Sequence, residues 1–237
     1  MPTLMLALSG PMQSWGSESR FTRRATEQMP TKSGVIGMLA AAQGRRRTDP
    51  VEDLVAIRFG VRADQPGTAL TDFQTAIDWR TGKSLPLSSR QYLADAKFLV
   101  GLEAERSLLE GLAEHLGSPR FPLYLGRRSC PPAERLVRGI RDEPLPQALE
   151  AESWLASTRH RTSLPLRVPL AVSRDWNESD GEASFARRRD VPRSFNPERR
   201  DYGWRRVVHE WIEMDNPDGR RDDPESHDVF EVVPGGS

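Results

Sequence analysis

Hydrophobic positions along this chain fall into short runs and two helical stripes that lay out an ordered set of elements. Thr3–Ser9 (TLMLALS) is a continuous apolar run of strand length, closed by Gly10-Pro11. A glycine-bounded loop, Gly10–Gly16 (GPMQSWG), follows, and the polar stretch with Arg20, Arg23 and Arg24 reads as an exposed loop up to Pro30. Thr31–Gly44 (TKSGVIGMLAAAQG) predicts a helix. Thr31 or Ser33 caps it, Gly44 ends it, and Val35, Met38, Leu39 and Ala42 recur at helical spacing. Gly34, Gly37 and Ala41 form a small-residue strip that lets another backbone come close.

Val55–Ala63 alternates apolar residues with Arg58 and Arg62, the pattern of a half-buried strand. Thr71–Leu93 reads as a long hairpin bending near Thr81-Gly82-Lys83, with Phe73, Thr75 and Ile77 on one face. Lys97–Leu102 is an apolar strand, Arg106–Leu116 an amphipathic helix stopped by Gly117, and Phe121–Leu125 a short strand. The order strand, helix, strand, strand, helix, strand is the split βαβ pattern of a ferredoxin-like α+β domain. Beyond Pro132, Ala133–Ile140 and Gln147–Leu155 fit either helical or extended pieces. Leu164–Val172 reads as an edge strand because of its prolines, Asp175–Arg200 as a loop or partly ordered segment, and Trp204–Met214 as a strand.

Charge changes this picture more than composition does. The 237 residues carry 34 Lys and Arg against 34 Asp and Glu, yet residues 1–212 hold 32 against 26 and residues 213–237 hold 2 against 8. A basic body thus precedes an acidic tail, and Lys32, Lys83 and Lys97 are its only lysines. Arginine forks suit phosphates and base stacking. No apolar run approaches the ~18 residues of a membrane span, and the N-terminus lacks a basic signal region, so the reading is cytoplasmic. A single cysteine, Cys130, excludes an internal disulfide and a cysteine zinc cage.

Catalytic signatures are missing. There is no phosphate-binding GxxxxGK[ST], no HExxH and no GxSxG, and His115, His160, His209 and His227 are far apart in sequence. Three patches offer anion chemistry instead. Lys32-Ser33-Gly34 brings a cation, a hydroxyl and free N–H groups to a helix start, which suits either simple capping or a phosphate. The hairpin carries Trp79, Arg80 and Lys83 near its tip and Arg90 and Tyr92 on its return, fitting a surface hairpin or a base-stacking RNA contact. Tyr124–Pro132 (YLGRRSCPP) sets Arg127 and Arg128 in a stiffened turn, where both can meet one anion.

Four segments in order, GPMQSWG, TKSGVIGML, RQYLADAKF (Arg90–Phe98) and YLGRRSCPP, resemble the Cas-five (Cas5) family of the RAMP superfamily, in the branch found in type I-E CRISPR Cascade complexes. The resemblance covers about residues 3–132 and is looser beyond. It implies a ferredoxin-like RAMP domain over 1–132 with a protruding β-hairpin thumb at about 71–93. A smaller C-terminal β-rich part over 133–214 and an acidic flexible tail over 215–237 complete the division. It implies a non-catalytic subunit that grips the 5′ handle of the crRNA, contacts the CasC backbone and CasA large subunits, and meets target DNA through the assembled complex. No cofactor or metal is implied. The candidate RNA-binding residues are Gln13, Trp15, Lys32, Ser33, Gly34, Trp79, Arg80, Lys83, Arg90, Arg127 and Arg128, with Trp15 equally suited to the core. Type I-C relatives suggest the alternative, a metal-independent endoribonuclease of CRISPR repeat RNA, for which Tyr92, Lys97 and His115 are the candidates here. A protein scaffold with incidental basic charge is the third reading.

Overall fold

Burial on both faces of the first strand sets the layout. The computed structural model describes residues 1–16, 23–181 and 185–220. Strand β1 (Thr3–Ser9) is buried at every position, as its unbroken apolar run requires. It leads through β2 (Met12–Gln13) and β3 (Arg23–Arg24) to helix α1 (Lys32–Ala42), α2 (Glu52–Val55) and β4 (Arg58–Gln65). Next come the hairpin strands β5 (Thr68–Gln74) and β6 (Ser88–Ala94), then β7 (Lys97–Glu103) and α3 (Arg106–Gly117). The second half holds β8 (Val137–Arg141), α4 (Leu145–Ala151), α5 (Thr158–Arg161), β9 (Arg167–Asp175), β10 (Ala186–Ser194) and β11 (Asp201–Asp215).

Seven strands form one sheet in the order β10-β11-β9-β4-β7-β1-β8, and every pairing in it is antiparallel. Helices α1 and α3 cover one face, burying Leu4, Leu6, Leu8, Phe98 and Val100. Helix α4 covers the other, over Met5, Leu99 and Val172. Glycines let it approach: a Cβ on Gly101 would stand 2.5 Å from Leu145 Cδ1, and one on Gly60 2.9 Å from Leu149 Cδ1. A smaller sheet is built around β6, which pairs with β5 along its length and with β2 and β3 at separate points.

Helix α1 begins and ends as its sequence dictates. Thr31 Oγ1 accepts the Gly34 N–H at 3.2 Å. Gly44, at φ +79°, and Arg45 return their N–H groups to the carbonyls of Ala41 and Ala40, a Schellman closure. The small-residue strip works differently from expectation. It receives rings, not a backbone: Gly34 lies against Trp15 and Gly37 against Phe195.

Several other expectations are corrected. Phe121–Leu125 is not a strand, because its N–H groups go elsewhere, Phe121 to Ala41 O and Leu125 to Cys130 O. The strand beyond β1 is β8 instead. The strand expected at Val55–Ala63 starts only at Arg58, since Val55 ends α2. Its Arg62 is fully buried rather than half-exposed, bonded to Asp64 and to the carbonyls of Leu149, Glu152 and Ser153. Strand β9 is internal, between β11 and β4; Pro169 is tolerated because the β4 pairing covers only Val172–Arg174. The stretch read as a loop over Asp175–Arg200 contains β10, the true edge. Asp215 ends β11, and Arg220 N donates to Leu164 O at 2.8 Å, so the chain is ordered past the expected start of the tail. Residues 221–237 of that tail, and 17–22 of the arginine-bearing loop with Arg20, lie outside the described residues.

Candidate nucleic-acid interface

Three of the four singled-out segments meet at the base of the β5–β6 hairpin, and the fourth joins them through Gly34. Gln13 is fully buried, its Nε2 donating to Leu8 O (2.9 Å) and Ala96 O (2.7 Å), and its Oε1 accepting Trp15 Nε1 (3.1 Å). Ser14 N donates to Leu125 O and Ser14 Oγ to Gln91 O, both at 3.0 Å. Gly126, at φ +91°, lets the two loops touch; a Cβ there would lie 1.7 Å from Ser14 O. Arg127 is a staple. Its Nη1 donates to Gln91 O (3.0 Å), its Nη2 to Arg24 O (2.7 Å), and its guanidinium lies 4.9 Å from the Tyr92 ring centroid. Burial pushes the Cys130 thiol up, so this cysteine is a packing residue.

The entrance of α1 is filled by the protein's own anions. Asp190 Oδ2 accepts the Lys32 N–H at 2.9 Å, and Lys32 Nζ donates to Asp175 Oδ2 at 3.0 Å. Arg205 joins the pair, with Nε 2.6 Å from Asp190 Oδ1 and Nη1 2.7 Å from Asp175 Oδ1. Burial alone would push the Asp190 carboxyl up; the hydrogen bond and charge of Arg205, with the Lys32 amide, outweigh it and hold it below the usual carboxylate range. Burial likewise pulls on Arg205, and its two carboxylates raise it above its ordinary value.

These facts redistribute the expected site residues. Gly34 is half-buried with its N–H donated to Thr31 Oγ1, while Trp15 is fully buried against it, so the ring cannot stack on RNA in this arrangement. Gln13 is core for the same reason. Lys32 is nine-tenths buried and committed to Asp175, and Ser33, half-buried, lies 3.4 Å from Thr31 Oγ1. The accessible groups lie on the hairpin and the Arg128 turn. Trp79 is 84% exposed with Arg80 5.3 Å from its ring centroid, Lys83 and Arg128 are exposed, and Arg90 is half-buried beside Ser88 Oγ at 3.3 Å. Gly82, at φ +68°, makes the hairpin tip, where its N–H donates to Asp78 O at 2.7 Å. Phe73, Ile77, Leu85 and Leu87 are exposed along the same hairpin.

Sequence reasoning missed Asp175, Asp190 and Arg205, whose partners lie up to 158 residues away. The stretch Ala186–Ser194, ARRRDVPRS, has no apolar–polar alternation, so no local sequence signal marks Asp190. The nuclease candidates sit on separate elements. Tyr92 is buried beneath Arg127, Lys97 Nζ is 3.7 Å from Glu134, and His115 Nδ1 is 2.6 Å from Gly111 O. Among the described residues, no three His, Cys, Asp or Glu side chains are grouped to hold a metal ion, and no helix is long and apolar enough to cross a membrane.

A family model described as CRISPR-associated protein (Cas_Cas5) matches residues 3–208. This chain belongs to the Cas5 family. The "CRISPR system Cascade subunit CasD" of Escherichia coli (strain K12) is 35% identical over 165 residues, 61% of this chain and 73% of that protein. A solved chain described as a Cas protein is 38% identical with a TM-score of 0.68, covering 92% of this chain and 98% of its own. Another, from a CRISPR RNA-guided surveillance complex, is 30% identical with a TM-score of 0.70, covering 92% of each chain. The Cas5 match extends through β10 and into β11, so the clamp at the α1 entrance lies within it.

Proposed function

We propose that this Cas5 chain is a non-catalytic crRNA-binding subunit of a type I-E Cascade surveillance complex in the cytoplasm. It holds the 5′ handle of the crRNA and contacts the CasC backbone and CasA large subunits, reaching target DNA through the assembled complex. One observation carries the reading. Segments GPMQSWG, RQYLADAKF and YLGRRSCPP, read from sequence as a family signature, are bonded together at the root of an exposed, aromatic and basic hairpin. The resemblance to CasD of Escherichia coli and to a surveillance-complex chain supports the same reading.

The ferredoxin-like reading is supported by the order β4-β7-β1-β8 with α1 and α3 on one face, which is second, third, first and fourth strand of a split βαβ unit. The β5–β6 hairpin is the thumb of this proposal, and 133–214 the smaller β-rich part. Trp79, Arg80, Lys83, Arg90 and Arg128 meet the handle, while Gln13, Trp15, Gly34 and Arg127 hold the hairpin base in place. Stacking and phosphate contacts of this kind suit single-stranded RNA ends.

Binding of a labelled handle RNA to the W79A/R80A/K83A variant tests it. Affinity should fall and the salt slope decrease by about two, one for each lost phosphate contact. Unchanged affinity and slope would remove the hairpin from the site. Specific, metal-independent cleavage of a repeat RNA by the purified chain would overturn the non-catalytic assignment.

A further inference from the structure

The face of the main sheet that carries α4 over Met5, Leu99 and Val172 continues across β11 and β10, where Arg187, Arg189, Trp204 and Arg206 are exposed. Register puts Arg187 opposite Arg206 and Arg189 opposite Trp204, and residues at alternate positions share a face. Trp176 joins them, its N–H donating to Arg206 O at 3.1 Å. The Arg206 guanidinium lies 5.0 Å from the Trp176 ring centroid and 4.9 Å from that of Phe185. Trp204 is 65% exposed and Phe185 39%.

The two faces of this strand pair treat arginine differently. Like charges directly across strands are destabilising. On the α1 face, Arg188 and Arg205 stand opposite each other, and Glu27, Asp190 and Asp175 neutralise them. On the outer face, Arg187 and Arg206 also stand opposite each other, and among the described residues neither is in an ion pair. Arg189 shares Asp201 at 4.0 Å and donates to Tyr202 O at 3.1 Å. Arg206 has aromatic rings where its neighbour Arg205 has carboxylates. The fold therefore keeps an unneutralised cation pair beside exposed rings, an arrangement that a polyanion with flat bases would complete.

We propose that this outer face, formed by Arg187, Arg189, Trp204, Arg206, Trp176 and Phe185, binds single-stranded nucleic acid. This contact is additional to the hairpin and is indifferent to the sugar. Cations meet phosphates, and the rings of Trp204 and Phe185 meet base faces. Arginine donors and ring faces engage phosphates and base faces, which RNA and DNA strands have in common, so both bind. It goes beyond the handle-binding reading and does not depend on it.

The test titrates the full chain with oligothymidylate and oligouridylate of about 15 nucleotides, near the upper site size of such platforms, following tryptophan fluorescence. The W204A/R206A variant should bind both about tenfold more weakly, with the salt slope lower by about one. Its thermal transition should stay cooperative and fall only slightly, since both side chains are exposed and Arg206 loses only its surface contacts with Trp176 and Phe185. Its co-expressed complex should still retain crRNA. Unchanged affinity for both oligonucleotides overturns the proposal. A preference of more than about tenfold for one sugar overturns its chemistry. A variant that keeps oligonucleotide binding but fails to enter the complex makes this face a protein contact instead. The W79A/R80A/K83A chain separates the two sites: its loss of handle RNA bears only on the hairpin.

Discussion

Two glycines in one helix show how much a single hydrogen atom decides. Each costs α1 roughly 1 kcal/mol of helix propensity against alanine. A Cβ on Gly34 would stand 2.9 Å from the Trp15 ring, which is fully buried and cannot retreat, whereas one on Gly37 would make ordinary contact with Phe195 at 3.6 Å. G37A is expected to raise stability by up to about 1 kcal/mol, and G34A to lower it by about 1–2 kcal/mol once overpacking outweighs propensity. Urea midpoints of the two variants check the opposite signs. Asp190 carries a second residue-scale expectation. D190N leaves Arg205 with Asp175 as its one carboxylate and the Lys32 amide with a neutral acceptor, and should cost about 3 kcal/mol at neutral pH. The folded carboxyl lies below its unfolded value, so its contribution is present above about pH 4 and is lost as pH falls through the folded value. The wild type should therefore lose stability more steeply than D190N in the acid limb of a pH series of urea melts.

Between elements, the same logic ties loops together. The turn after Leu125 reaches the loop after β1 only because Gly126 has no side chain and a positive φ. G126A would set a methyl group against the Ser14 backbone carbonyl, which no rotamer change relieves. Its expected cost is about 3 kcal/mol or more, with handle RNA affinity falling as the hairpin base shifts. Denaturant melts read the first effect and RNA titration the second; a stable variant with full affinity would separate this contact from the interface. The existence of the β5–β6 hairpin was legible from its alternation and its Thr81-Gly82-Lys83 bend. The place of β9 was not, because Pro165 before it and Pro169 within it resemble an edge signal, and only the short reach of β4 shows how Pro169 is accommodated.

At the scale of the whole molecule, one sheet runs through both halves of the chain. Strand β8 pairs with β1 and β9 with β4, α4 covers the face behind them, and Asp175 and Asp190 hold the entrance of α1. A fragment of residues 1–132 would expose two strand edges, an apolar face and the Lys32 ammonium. It is expected to show no cooperative thermal or urea transition, measured by circular dichroism, and to aggregate. A cooperative melt of that fragment would mean that the first 132 residues are an independent unit.

What the sequence by itself determined was local. Caps and stops of α1, the two apolar strands β1 and β7, the amphipathic α3 and the basic hairpin follow from periodicity, glycine and charge within a few residues of one another. Four short segments were also enough for the family resemblance. The tertiary structure decided which charges are free. Lys32 and Ser33 at a helix start look like a phosphate seat until Asp175 and Asp190, far along the chain, supply the anions, and Trp15 looks like a stacking platform until Gly34 buries it. Arg205 and Arg206 are neighbours of identical chemistry, yet strand pleating turns Arg205 toward carboxylates and Arg206 toward tryptophan and phenylalanine. Burial and pairing are set by contacts distant in sequence, and these separate a structural cation from one left to bind.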